Sequence, residues 1–168
     1  MKDCLVIMTG GTIDAEPYKK TPRNVKLLEH SIVPDAVEEL GLAKNCRFLQ
    51  WLMKDSKDFK KSDAEQLAEF IEARRARHIV VTHGTDRMPQ HSRRLEKLLE
   101  GTDKTVIVTG SMTPLTHGKR SDAYRNLRVA IEDGADWTAG VHVVMHGKHF
   151  HPKGLWKDPD AKRFHQSR

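Results

Sequence analysis

Cys4-Leu5-Val6-Ile7-Met8-Thr9-Gly10-Gly11-Thr12 sets five consecutive apolar residues against a pair of glycines held between threonines. An unbroken apolar run of this length is a strand covered on both faces. A strand with one wet face would alternate instead. The pattern recurs downstream. Ile79-Val80-Val81-Thr82 runs into His83-Gly84-Thr85-Asp86, and Thr105 to Thr109 runs into Gly110-Ser111-Met112. Gly140 leads into Val141-His142-Val143-Val144-Met145, which reads as the last strand, and Arg47 to Leu52 reads as a further one.

Helical spacing fills the gaps between these runs. Ser62-Asp63-Ala64-Glu65 has the form of a capping box and opens a helix with Ala64, Leu67, Ala68 and Ile71 on one face. Pro89 suits the first turn of a helix carrying Leu95, Leu98 and Leu99. Ser121 is placed to cap a helix with Tyr124, Leu127 and Ile131 on one side. The stretch from Asp14 to Val33, with Pro17, Pro22 and Asn24, reads as loop. Strands alternating with helices predict an α/β fold. We expect a single doubly wound domain over residues 1–168, with a mostly parallel, flavodoxin-like or Rossmann-like sheet and right-handed crossovers. Ligands of such sheets bind beyond the carboxyl ends of the strands, where the strand order switches.

Composition agrees with this class. The chain has 168 residues, 38% hydrophobic and 31% charged, too apolar for a disordered chain and too charged for a membrane protein. The net charge of +6 comes from basic residues scattered along the chain, which describes a solvated surface rather than a nucleic-acid groove. We therefore expect no nucleic-acid and no membrane partner. Met1-Lys2-Asp3-Cys4-Leu5-Val6 lacks the apolar core and cleavage site of a secretory signal. Cys4 and Cys46 lack metal or redox spacing, so a cytoplasmic location is expected, with Cys4 packing as a small hydrophobe. His142, His146, His149 and His151 crowd the end of the fourth apolar run but match no standard zinc spacing, and they read as polar strand-end residues with no metal implied. Trp51, Trp137 and Trp156 read as core or interface anchors.

Three strand ends couple a hydroxyl to glycine: Thr9-Gly10-Gly11-Thr12, Thr82-His83-Gly84-Thr85-Asp86 and Thr109-Gly110-Ser111. Each alone would be a tight turn or a helix cap. Three on one sheet edge make a site, with hydroxyls for attack, a carboxylate and backbone amides for an oxyanion. No phosphate-binding loop, complete dinucleotide fingerprint or nucleophile elbow is present.

These motifs resemble a known family. Met8-Thr9-Gly10-Gly11-Thr12-Ile13 is similar to the first signature of bacterial-type L-asparaginases, and Thr82-His83-Gly84-Thr85-Asp86 with Met88 to the second. Val108-Thr109-Gly110-Ser111-Met112 with Pro114, then Ser121-Asp122-Ala123 and Asn126-Leu127, resembles the segment that follows. The resemblance implies the N-terminal catalytic domain of that family in a short-chain form without the C-terminal domain. It implies hydrolysis of L-asparagine to L-aspartate and ammonia, with no metal or organic cofactor, in a homo-oligomer, dimer or tetramer. It places Thr12 as the expected nucleophile and Thr85 as the second catalytic threonine, leaving open which forms the covalent bond. Asp86 would hold the substrate ammonium, Lys157 would activate a nucleophile with Thr85 and Asp86, and Tyr18 would orient Thr12 from a flexible loop. Ser56 would bind the substrate carboxylate, with Gly11, Gly84 and Ser111 as further substrate contacts.

A dry site is what such a lysine needs to act as a base, and the Tyr18 loop would supply the lid. Two departures stand out. Arg87 follows Asp86, where it would compete with the substrate ammonium, and Thr113 precedes Pro114 in place of a basic residue. Lys153 and Lys162 flank Lys157 as rivals for its role. A second reading, a catalytically weak amino-acid-binding or regulatory domain of the same fold, follows from Arg87 and from the expected lack of the second domain.

Overall fold

In the computed structural model, which describes residues 3–167, β1 (Cys4–Met8) lies between β2 (Cys46–Gln50) and β3 (His78–Thr82). Met1, Lys2 and Arg168 lie outside the described residues, and with them part of the N-terminal stretch read for a signal. The sheet continues through β4 (Thr105–Thr109) and β5 (Gly140–Met145) to β6 (Lys148–Phe150), in the order β2-β1-β3-β4-β5-β6. All pairings are parallel except that of β6, which turns back along β5. Every residue of β1, β3 and β4 is buried, as their unbroken apolar runs require.

Register brings the strand ends level. Met8 pairs with Thr82 and Thr82 with Thr109, so the three glycine turns leave the sheet at one height. The chain passes from β1 to β2 on one side and then to β3 on the other. The order therefore switches beside β1, where a crevice is expected.

Helices cover both faces. On one, α2 (Lys61–Glu72) and α3 (Met88–Leu98) set Leu67, Ile71 and Leu95 against Ile7, Ile79 and Val81. On the other, α1 (Val33–Glu39) and α4 (Ala123–Ile131) set Val37, Leu127 and Ile131 against Val6, Val80 and Ile107. The doubly wound expectation is met.

Local details differ from the sequence reading. β2 starts at Cys46 and ends at Gln50, a residue earlier at its start and two at its end than expected. Helix α2 begins ahead of Ser62, because the Asp63 carboxylate reaches back to the Lys60 amide at 2.7 Å and binds the Lys54 ammonium at 2.9 Å. Asp122, not Ser121, is the N-cap of α4. Ser121 Oγ still accepts from the Ala123 amide while donating to the Thr113 carbonyl. Leu98 ends α3 at 41% exposure, while Leu95 and Leu99 are buried. The loop reading of Asp14 to Val33 ends where α1 begins, with Pro34 in its first turn. Met145 does not end the strands. Beyond β6 a separate hairpin forms from β7 (Leu155–Asp158) and β8 (Arg163–Gln166).

Cys4 is buried as a small hydrophobe, with Cys46 beside it in register, both thiols free. Trp51 and Trp137 are half-buried against the two cores, whereas Trp156 is 45% exposed and stacks on His165. Among the described residues no helix is long and apolar enough to cross a membrane.

Candidate active site

Two glycines draw the loops of the site together. Gly11 has φ +89°, and a Cβ on it would lie 2.4 Å from Gly84 Cα. A Cβ on Gly84 would lie 2.7 Å from Ser56 Cβ. Only glycine at both positions lets the turns after β1 and β3 stack against the turn at Ser56. The result is a cavity of about 140 Å³ lined by Gly11, Thr12, Tyr18, Ser56, Gly84, Thr85, Asp86 and Lys157, among others. That volume suits one small polar molecule.

Thr12 starts a single helical turn, Thr12–Asp14. Asp14 is fully buried, and its Oδ1 accepts from Ser31 Oγ at 3.0 Å and the Ile32 amide at 2.9 Å. Burial raises the Asp14 carboxyl against those two bonds. Asp14 thus ties the turn that carries Thr12 to the far end of the following loop. The loop crosses the cavity as a strap. Thr116 Oγ1 donates to the Ala15 carbonyl at 2.8 Å, and the Tyr18 amide donates to His117 Nε2 at 3.1 Å. Lys57 Nζ holds the Arg23 carbonyl at 3.1 Å, and Lys162 Nζ holds Thr21 Oγ1 at 3.2 Å. Tyr18 packs edge-on against His117, and partial burial raises its phenol.

Ser56 is buried in a turn capped by the Asp55 carboxylate, which accepts from the Lys57 amide. Ser56 Oγ accepts from the Arg87 amide at 3.2 Å, leaving its own proton to donate.

Lys157 reaches the site from β7. Leu155, two residues earlier on the same face of the strand, is buried in the core with Phe164 from β8. Arg93 Nη1 donates to the Leu155 carbonyl at 2.7 Å and locks the hairpin to α3. So held, Lys157 Nζ lies 3.0 Å from Thr85 Oγ1 and 2.5 Å from Asp86 Oδ1, while Lys57 Nζ lies 3.2 Å from Asp86 Oδ2. Partial burial would raise the Asp86 carboxyl; the Lys157 and Lys57 ammoniums outweigh it and hold the carboxyl below its usual range.

The family model for the asparaginase N-terminal domain matches residues 3–163. The chain belongs to the asparaginase family. The glutaminase-asparaginase of Pseudomonas fluorescens is 31% identical over 156 residues, covering 86% of this chain and 42% of that protein. The L-asparaginase of Thermococcus kodakarensis is 39% identical over 70 residues, covering 42% of this chain and 21% of that protein. The crystal structure of L-asparaginase I from Vibrio cholerae superposes with a TM-score of 0.84 at 22% identity, covering 99% of this chain and 52% of that one, a likeness of fold. This asparaginase-family chain thus matches at most about half the length of each of these relatives.

Not every residue singled out in the sequence meets at the cavity of this asparaginase-family domain. Ser111 is fully buried outside the lining, its Oγ making no hydrogen bond among the described residues, and Met112 takes the rim instead. The Asp122 carboxylate receives the amides of Met112 and Thr113 at 2.9–3.0 Å and so holds that turn. Arg87 contributes its amide to Ser56; among the described residues the cations paired with Asp86 are Lys57 and Lys157. Of the rival lysines, Lys162 lines the cavity and Lys153 does not. Lys57 was overlooked because Ser56-Lys57-Asp58 draws attention to its serine.

The sequence also hides a support under the second glycine turn. His83 Nδ1 meets the Gly84 carbonyl at 2.8 Å, and its Nε2 meets His91 Nδ1 at 3.1 Å, with both rings against Phe59. Burial pushes both imidazoles down to about 4, so they stand neutral at pH 7.

Proposed function

We propose that this domain hydrolyses the side-chain amide of L-asparagine to L-aspartate and ammonia, with Thr12 as the nucleophile. The observation that carries this reading is the position of Lys157 Nζ between Thr85 Oγ1 and Asp86 Oδ1, on the rim of the cavity that Thr12 also lines.

The substrate is a zwitterion with a neutral amide. Asp86 offers an anion to its ammonium, and the Ser56 hydroxyl and turn amides offer donors to its carboxylate. Thr12 Oγ adds to the amide carbon, the C–N bond breaks, and the threonine proton ends on the departing ammonia. Water then cleaves the ester, leaving its hydroxyl on the acyl carbon and returning a proton to Thr12. Thr85, in the hydrogen-bond chain with Lys157 and Asp86, relays protons for these steps. Side chains and water suffice for this chemistry. Tyr18, carried on the strap beside Thr12, orients the attacking hydroxyl and covers it.

The same reading makes the working form a homo-oligomer, because Asp86 is left 46% exposed at the mouth of a site that must be shielded from bulk solvent while admitting one hydrolytic water. It also places the protein in the cytoplasm, where free thiols such as those of Cys4 and Cys46 persist. Light scattering of the active protein tests the first point, and a strictly monomeric active species overturns it.

The direct test is ammonia release from L-asparagine and, in parallel, L-glutamine. Turnover on asparagine that disappears in Thr12→Ala supports the reading. If the wild type is silent while asparagine still raises its melting temperature, the domain binds amino acids without hydrolysing them.

A further inference from the structure

The antiparallel turn at the edge of the sheet gathers three histidines that the catalytic cavity does not use. β5 pairs with β6 in the register Val143 to Phe150 and Val144 to His149. One step further sets His142 across from His151, so His142, His149 and His151 share one face of the hairpin. One ring nitrogen from each lies within 4.8 Å of the other two. His142 Nδ1 and His149 Nε2 stand 2.8 Å apart.

From this geometry we propose that His142, His149 and His151 form a three-imidazole site for a divalent transition metal ion, Zn²⁺ foremost, with water in the fourth position. The ligand order, one histidine on β5, one on β6 and one just past the end of β6, follows from the strand pairing. Its ligands therefore do not follow a local zinc spacing along the chain.

Several features prepare these side chains for a metal. His142 is 4% exposed, and its Nε2 meets the Thr138 carbonyl at 2.9 Å. A carbonyl only accepts, so Nε2 carries the proton and Nδ1 presents its lone pair to the other two rings. Metal-ligating histidines are oriented in this way, by a hydrogen bond from the other ring nitrogen to a carbonyl. Trp137 stacks on the His149 ring at 4.1 Å between centroids and fixes its plane. Without the metal, His149 Nε2–H donates to His142 Nδ1. With it, His149 moves that proton to Nδ1 and offers Nε2.

A tetrahedral Zn²⁺ with Zn–N near 2.0–2.1 Å separates its nitrogen ligands by about 3.3 Å. His142 and His149 must therefore part slightly and His151 draw in. His151 is exposed and can move in, His149 can slide within its stack on Trp137, and buried His142 stays fixed. Imidazole ligands also suit Cu²⁺ and Ni²⁺, which should compete for the same position.

The test is equilibrium dialysis and calorimetric titration of the full chain with ZnCl₂ near pH 7.5. The variants His149→Gln and His151→Gln change exposed residues, and His30→Gln serves as a control at an exposed histidine elsewhere. The expected result is one Zn²⁺ per chain. Affinity should fall by about tenfold or more in either ligand variant and stay unchanged in the control. Zn²⁺ should raise the melting temperature of the wild type and not of the double variant. No saturable binding overturns the proposal. So does binding that survives in the double variant, or binding that the control weakens equally.

Discussion

Lys157 Nζ donates to Thr85 Oγ1 across 3.0 Å, although the two residues lie 72 positions apart. The contact exists because Leu155 is sunk in the core and Arg93 holds its carbonyl, which leaves Lys157 directed at the turn after β3. The hairpin thus serves as a fixed arm for one ammonium. Removing the charge while keeping the stem should leave the arm in place. We expect Lys157→Met to lower kcat on asparagine by at least about 10²-fold, in the range of a lost general acid–base group, with little change in melting temperature. Steady-state kinetics beside thermal denaturation checks this. A variant that keeps wild-type kcat removes Lys157 from the reaction.

Asp86 sits between two ammoniums, and they need not play the same part. Lys57 touches only the outer oxygen, Oδ2, and is itself 41% exposed. In the proposed reaction a substrate ammonium takes a place on this carboxylate, so Lys57 would compete with it. Lys57→Gln should lower KM several-fold with kcat nearly unchanged, whereas Asp86→Asn should raise KM strongly. Arg87→Thr should leave KM close to wild type, because the backbone amide of Arg87 is what contacts the site. An Arg87→Thr variant with markedly tighter binding would restore the side chain of Arg87 as the competitor.

The parts of this molecule that were legible in sequence are those whose pattern is forced by burial. Cys4–Met8 and Thr105–Thr109 lie in the middle of a sheet wet on neither face, and their apolar runs mark the observed bounds. Gly11 and Gly84 were legible because close backbone approach leaves one residue type. The β7–β8 hairpin was not. It has four residues a side, and its stability comes from Leu155 and Phe164 reaching a core built by distant residues. Its signal lay in the turn, where Asp158 Oδ1 accepts the amides of Asp160 and Ala161 around Pro159. Helix α1 went unread because its seven residues give too few turns for a period. The pairing of Asp86 with Lys57 depends on two loops meeting in space, which local spacing does not encode.

His83 and His91 tie stability to pH through the floor of the site. Each imidazole is pushed down to about 4, while in the unfolded chain it titrates near 6.5. Between those values the unfolded chain binds more protons, so stability rises with pH across the window. It is complete above about pH 6.5 and is lost as pH falls toward 4. For His83 alone the loss is on the order of 3 kcal/mol, from 1.36 kcal/mol per pKa unit. Urea denaturation from pH 7.5 to 4 should show this decline. His91→Leu should flatten it, since one of the two protons is no longer taken up. A wild-type stability that is level across this window would separate the pair from folding.

Gly11 offers the sharpest test of how the site is assembled. Any Cβ there meets Gly84 Cα at 2.4 Å, which is backbone and has no flexible end to move aside, and φ is +89°. Gly11→Ala therefore either separates the two turns or strains the backbone by about 1–3 kcal/mol. Separation moves Thr12 away from Thr85 while the strands beneath stay paired. The expected outcome is a folded protein of lower melting temperature with ammonia release reduced by at least about 10²-fold, as a displacement of 1 Å can produce. Gly101→Ala is the matched control, since its φ is +80° with open space around it. It should cost stability through the same backbone strain and leave turnover intact. Equal losses of turnover in the two variants would mean that strain alone, and not the contact between the turns, explains the effect.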